Sequence, residues 1–204
     1  MSTPPYQQLF HVLQAIANSG NFLITEIPAS EINKLNHIFH PVTLPAGEFF
    51  IKAGEVPKTI GFVISGLLRL YYLDNSGTEF TKSFCLENEF IGAYSALLSN
   101  QPSRLFIETL EDTNLLVADY QEYQKLATAH HCWQIINCKL SQNLFIKKEK
   151  RESELLLDDA TTRYLNFLSE YPQLKTRVKQ YHIASYLGIT PVSLSRIRAT
   201  LHPN

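Results

Sequence analysis

The sequence predicts an α+β chain: an N-terminal β-roll of jelly-roll type with flanking helices, one long helix, and a C-terminal helix-turn-helix. Three observations predict it. From Pro41 to Tyr120, short runs of β-branched and aromatic residues alternate with glycine-containing turns, a texture of many short strands rather than of a parallel sheet. After Gln121 the only breakers, apart from Pro203, are Pro172, Gly188 and Pro191, so that region reads as helical. Within it, Tyr181–Leu201 (YHIASYLGITPVSLSRIRATL) sets a turn glycine between two helical patterns. The expected domains are 1–130 for the roll and its leading helices, 131–157 for the long helix and 158–204 for the helix-turn-helix.

Composition excludes several classes of function. Of the 204 residues, 45% are apolar and 18% charged, which suits a globular chain with a real core. No run is long and apolar enough to span a membrane. Met1-Ser2-Thr3-Pro4-Pro5 is not the start of an export signal, so a cytoplasmic location is expected. Cys85, Cys132 and Cys138 have neither an even count nor a CxxC spacing, so neither a disulfide framework nor an iron–sulfur nest is expected, only small buried or half-buried side chains. Net charge is −1, but Tyr171–Asn204 holds Lys175, Arg177, Lys179, Arg196 and Arg198 with no acid, so this tail carries +5 and the rest −6. A basic segment on an acidic body is the footprint of a part that meets nucleic acid.

The elements follow in order. Leu9, Val12, Leu13 and Ile16 give Pro5–Asn18 a helical face closed by Gly20; Ile32, Leu35 and Phe39 do the same for Pro28–Phe39. Strands are expected at Val42–Leu44, Glu48–Ile51, Gly61–Ser65, Leu67–Leu73, Glu79–Phe84, Arg104–Leu110 and Asn114–Asp119, with Asp74-Asn75-Ser76-Gly77 a hairpin turn. The long helix, His131–Leu157, carries Trp133, Ile136, Leu140 and Leu144 as an apolar seam, then Lys147–Glu152 as a run that must lie in water. Such a helix is a natural two-fold contact, and those four residues are the expected dimer interface. Asp158-Asp159 breaks and caps; Ala160, Tyr164, Phe167 and Leu168 bury the next helix, which Tyr171-Pro172 ends.

In the helix-turn-helix, Ile183 and Leu187 face inward and Ala184 is small enough for a close crossing. Gly188 suits a left-handed turn, Thr190 caps the second helix and Pro191 occupies its first position. Leu194, Ile197 and Leu201 form the buried stripe. The residues expected to meet DNA are Lys179, Thr190, Pro191, Val192, Ser193, Arg196 and Arg198. Arg196 has the reach for a guanine edge, Thr190 and Ser193 can bond phosphate, Lys179 and Arg198 add backbone attraction, and Pro191 and Val192 make apolar contacts.

From about Pro41 to Leu201 the chain resembles the cyclic AMP receptor protein superfamily of Crp–Fnr type. The resemblance rests on PAGEFFIKAGE (45–55), GFVISGLLRLYY (61–72), EFIGAYSALLSNQPSRLFIETLEDT (89–113) and the helix-turn-helix, in that order. It implies a cyclic-nucleotide-type β-roll, a homodimer along the long helix and a winged helix reading inverted-repeat, double-stranded DNA. A further candidate partner is RNA polymerase. Any wing is expected from the short stretch Leu174–Val178.

The implied effector site is Gly92, Ala93, Tyr94, Ser103 and Arg104. Nucleotide-binding members follow the glycine with a ribose-holding Glu and, eleven residues after it, place Arg and then Ser or Thr for the cyclic phosphate. Here Ala93 follows Gly92, and Ser103 precedes Arg104. Moving an arginine by one residue along a strand turns it to the other face, so no cyclic AMP binding is expected. The effector is then a different small molecule, or none, with the pocket filled by its own side chains. No cofactor is expected.

Two other classes of function compete. One is a roll that keeps the fold as a sensor or interaction module and has lost DNA binding, which Arg196 and Arg198 argue against. The other is a jelly-roll enzyme of cupin type. That requires a metal-holding cluster on neighbouring strands, whereas His11, His37, His40, His130, His131, His182 and His202 are all expected outside strands. No catalytic or metal-binding residue is therefore assigned.

Overall fold

The computed structural model describes residues 5–19 and 26–201. Gly20, expected to close the first helix, lies outside them, as do His202 and Pro203. Helices α1 (Pro5–Asn18) and α2 (Ala29–Ile38) lead into strands β1 (Phe39–Leu44), β2 (Phe49–Ile51), β3 (Thr59–Ser65), β4 (Leu68–Leu73), β5 (Glu79–Cys85) and β6 (Phe90–Ile91). Helix α3 (Tyr94–Ser99) precedes β7 (Phe106–Thr109) and β8 (Thr113–Asp119). The helical remainder is α4 (Tyr120–Ala129), α5 (His131–Leu157), α6 (Ala160–Glu170), α7 (Leu174–Arg177), α8 (Gln180–Leu187) and α9 (Pro191–Leu201).

The strands form two four-stranded sheets, ordered β1-β8-β3-β6 and β2-β7-β4-β5. In the first, β8 runs antiparallel to both β1 and β3, with Phe39 opposite Ala118 and Phe62 opposite Leu116. Strand β1 begins at Phe39 because that ring is fully buried on the ladder, and so His40, expected outside the strands, lies on β1 and is exposed. Pro41 is tolerated because β1 is an edge strand. Strand β6 pairs only Ile91 with Gly61 and Phe90 with Phe62, too short to show a period in the sequence. Between β3 and β4, Gly66 has φ +104, and a Cβ there would lie 2.7 Å from the Thr113 Cα, so only glycine fits that turn.

Two compact units result: 1–70 with 84–144, and 71–83 with 145–204. The outer half of hairpin β4–β5 therefore groups with the C-terminal helices, and α5 contributes its first half to one unit and its second half to the other. The first unit has two apolar clusters. The roll interior gathers Ile51, Val63, Leu68, Leu70, Cys85, Ile91, Ala93, Ala96, Leu105, Ile107 and Leu115. The other cluster packs α1, α2, α4 and the start of α5 on the β1–β8–β3 sheet through residues such as Leu9, Leu13, Leu35, Phe62, Leu116, Trp133 and Ile136.

This second cluster changes the reading of the α5 seam. Trp133 and Ile136 are fully buried inside their own unit and Leu140 packs partly against it, so only Leu144 of the expected interface is exposed. The seam spends its apolar area within the chain. The reason is that α1 and α2 supply a cover that the roll alone would not. Apolar side chains left exposed on α5 are Leu144, Phe145, Ile146, Leu155, Leu156 and Leu157.

A second correction concerns the wing. Leu174–Arg177 is a single helical turn, α7, and the described residues contain no strand after Asp119. Leu174 is fully buried and Val178 nearly so, anchoring the turn in the core of the second unit rather than in a ribbon. No described helix is long and apolar enough to cross a membrane.

Candidate nucleic-acid interface and effector region

In the second unit, helix α8 ends as its sequence requires. Gly188 adopts φ +69, the Ile189 amide donates to Ala184 O at 3.0 Å and the Gly188 amide to Ser185 O at 3.2 Å, a Schellman-type closure. Ala184 and Leu187 are fully buried and Leu194 on α9 nearly so, which fixes the crossing of the two helices. Thr190 Oγ1 accepts from the Ser193 amide at 3.1 Å and lies 3.0 Å from its hydroxyl, capping α9 with Pro191 at its first position. Buried and capped sides thus leave one free face. Thr190, Pro191, Val192 and Arg196 are exposed on it, Ser193 and Arg198 half-buried, and Lys179 is exposed at the start of α8. Val192, at 61% exposure, is a large apolar side chain left mostly open to solvent.

The turn is held from behind by residues that sequence reading missed. The Arg151 guanidinium lies 4.0 Å from the Tyr186 ring centroid and donates to Tyr186 O. Arg163 Nε donates to Leu187 O at 3.0 Å and its Nη1 to Asp158 O at 2.6 Å. Two cations thus sit on the carbonyl end of α8, where its dipole favours them. Tyr186 packs with Phe167 and Tyr171 at centroid distances of 5.5 and 6.3 Å, and burial pushes its hydroxyl up to about 12. Arg151 belongs to a charged run expected to lie in water, yet it is half-buried, and burial lowers its pKa. Nothing local in the sequence marks it out, because its partner is 35 residues away. Asp159 caps α6 as expected, accepting from the Thr162 amide at 2.8 Å.

In the first unit the effector residues separate by face. Ala93 and Ser103 are buried, but the Ser103 hydroxyl is occupied by its own chain, donating to Leu105 O and accepting from the Leu105 amide, each at 3.0 Å. Arg104 is exposed while Ser103 and Leu105 on either side are buried, so the guanidinium points away from the interior. Gly92 is half-buried. Tyr94 is exposed at the start of α3, with its hydroxyl 3.4 Å from Ser141 Oγ on α5. The interior cluster is built of apolar side chains, and the buried Arg69 on β4 is paired with Glu108 at 3.5 Å.

Cys85 and Cys132 are buried and Cys138 is exposed. Among the described residues no group of His, Cys, Asp and Glu is arranged to hold a metal.

The described residues thus contain a roll of two four-stranded sheets, a long helix and a helix-turn-helix. The Cyclic nucleotide-binding domain family model matches residues 41–130. Among solved structures the chain is similar to FixK2 from Bradyrhizobium japonicum, with a TM-score of 0.71 and 21% identity over 81% of this chain and 85% of that one. It is also similar to the c-di-GMP responsive global regulator CLP of Xanthomonas campestris, with a TM-score of 0.68 and 18% identity over 85% and 91%. A CooA mutant from Carboxydothermus hydrogenoformans gives a TM-score of 0.67 at 19% identity over 93% and 83%. These likenesses show a shared fold. No curated protein matches.

Proposed function

We propose that the protein is a Crp–Fnr type transcription regulator that binds inverted-repeat DNA as a homodimer and whose roll does not take cyclic AMP. The observation that carries this reading is the capped, solvent-facing start of α9 with Arg196 exposed on it. A helix so presented enters a major groove with its N-terminal residues toward base edges. Two copies related by a two-fold axis meet half-sites about one helical turn, roughly 34 Å, apart. Arg196 reads a base, Thr190 and Ser193 hold phosphate, and Lys179 and Arg198 supply salt-dependent attraction.

The test is retention of genomic fragments by the purified protein at two salt concentrations, repeated with two variants. Arg196→Ala is expected to cost about 1–3 kcal/mol per half-site and to relax preference at one position in each. Lys179→Ala should weaken all sequences alike and flatten the salt dependence. Equal losses on specific and random DNA for Arg196→Ala would reduce it to a phosphate anchor and leave specificity to the shape of the site. A second reading, a roll that serves only as an interaction module, draws on the apolar Pro191 and Val192 at the groove-entering end. Failure of the wild type to retain any fragment selects it.

For the roll, the expected result of calorimetry with cyclic AMP and with cyclic GMP is no binding at micromolar concentrations. An uncompensated phosphate among Leu70, Ala93, Ala96 and Leu105 would be too costly. Micromolar affinity for either nucleotide would overturn this assignment of the interior.

A further inference from the structure

We infer that hairpin β4–β5 is clasped to the helix-turn-helix by the hydroxyl of Ser185, and that this clasp sets the position from which α9 reads DNA. The inference rests on the proposed reading of α9 and names the residue that aims it.

The geometry is specific. Ser185 Oγ donates to Glu79 O at 2.8 Å and accepts from the Thr81 amide at 2.9 Å. Strand β5 is the last strand of its sheet, so one edge has no neighbouring strand. Along that edge the carbonyl of one residue and the amide two residues on point the same way. A residue of a parallel neighbouring strand would bond this same pair. The Ser185 hydroxyl, being donor and acceptor at once, takes the place of that missing residue. An alanine, valine or lysine there could not. The contact also blunts an edge that would otherwise invite pairing with another chain.

The position of Ser185 gives the clasp its consequence. It lies in the last turn of α8, next to Tyr186 and Leu187, whose carbonyls take Arg151 and Arg163. Three side chain to main chain attachments therefore converge on the end of α8 that turns directly into α9. With the clasp closed, Pro191, Val192 and Arg196 remain exposed, so it does not block reading. At its other end the hairpin is rooted in the roll interior, through Leu68 and Leu70 on β4 and Cys85 on β5. The hairpin backbone runs from there to Glu79 and Thr81, which the two Ser185 hydrogen bonds join to α8. The Thr81 hydroxyl is buried beside the clasp without a hydrogen-bond partner, so the joint is closed without every polar group being satisfied.

Ser185→Ala removes both bonds in a helical position where alanine is well accepted, and Thr81→Pro removes the amide donor, together with the unsatisfied Thr81 hydroxyl, from an edge strand, where proline is tolerated. Amide exchange is followed in the full-length wild type and in Ser185→Ala. DNA retention is measured on inverted repeats whose half-site spacing is native or lengthened by one base pair. The Thr81 amide should be protected in the wild type and exchange freely in Ser185→Ala. The wild type should lose about tenfold or more in affinity on the lengthened site, and Ser185→Ala no more than about threefold, because a loosely held reader tolerates a changed span. The double variant should match the worse single one, since both break one joint. A Thr81 amide that exchanges freely in the wild type, or spacing discrimination unchanged in Ser185→Ala, overturns the inference. A wild type that protects the Thr81 amide but retains no DNA overturns the proposed function instead, and with it the role of the clasp in reading.

Discussion

Replacing Phe145 and Ile146 together with glutamate is expected to give a folded monomer that has lost most of its affinity for an inverted repeat. The two side chains are 66% and 61% exposed, so the substitutions remove little from the chain's own core. They sit on a face of α5 distinct from Trp133 and Ile136. Cys138, Gln142, Phe145, Glu149, Glu152 and Leu156 recur at alternating steps of four and three residues, all exposed. That is the spacing of a coiled-coil seam. In a two-fold pair the double variant puts four further carboxylates on and beside this face, where Glu149 and Glu152 already lie, and their mutual repulsion opposes pairing. Once the half-sites are no longer linked, binding falls by about 10²–10⁴-fold. Sedimentation and circular dichroism measure assembly and folding separately. Cys138 adds an independent check, since a parallel pair brings two copies of it to the helix–helix contact, while Cys85 and Cys132 are buried. Mild oxidation should therefore cross-link the wild type and leave Cys138→Ser unlinked. A variant that still sediments as a dimer would put the interface elsewhere.

That prediction moves the interface by roughly half a turn of helix from where periodicity alone places it, and the reason separates what is legible in a sequence from what is not. The seam Trp133–Ile136–Leu140 is real, and periodicity says that a face is buried without saying against what. Here α1 and α2 cover it, and a contact such as Trp133 to Glu31 spans 102 residues. Local signals fared better. The limits of α5, the Thr190 and Asp159 caps and the left-handed Gly188 are dictated by residues within one turn of each other, and the structure has all of them. The wing fails for the converse reason. Leu174–Val178 has no alternation, only a buried Leu and Val four residues apart, which suits a helical turn. In the effector region Arg104 does lie outside, but on the bend before β7 (Phe106–Thr109) and not in the strand whose alternation predicted it. Nor could alternation show that the Ser103 hydroxyl would be consumed by Leu105. Ser185, Arg151 and Arg163 left no trace, because each bonds backbone far away in the chain, and a backbone carbonyl has no letter in the sequence.

Trp133 is the residue whose loss should cost the first unit most. It is fully buried among α1, α2 and α5, and its Nε1 donates to Glu31 Oε2 at 2.8 Å. Lys34 holds the other carboxylate oxygen of Glu31 at 2.6 Å. Trp133→Ala empties that volume and strands the carboxylate, for an expected loss of about 3–5 kcal/mol. Folding free energies are about 5–15 kcal/mol, so this variant should be largely unfolded at moderate urea. Trp133→Phe keeps a six-membered ring in the site and loses the donor with a smaller part of the volume, for about 1–3 kcal/mol. The two variants thereby separate packing from the hydrogen bond. Acid provides a further discriminant. The hydrogen bond from Lys34, with a smaller contribution from Trp133, holds the Glu31 carboxyl below its ordinary value of 4.5 against the opposing effect of burial. A depressed carboxylate stabilises the fold above its unfolded pKa, and that contribution fades as pH falls through the folded value. The wild type, whose single tryptophan makes fluorescence report on this site, should therefore lose urea resistance as the pH falls below the ordinary carboxylate value of 4.5. Trp133→Phe, followed by circular dichroism, should lose less over the same fall in pH, because its Glu31 is less depressed to begin with. Equal acid sensitivity in both would mean that the indole contributes nothing to holding the charge, and that Lys34 alone does so.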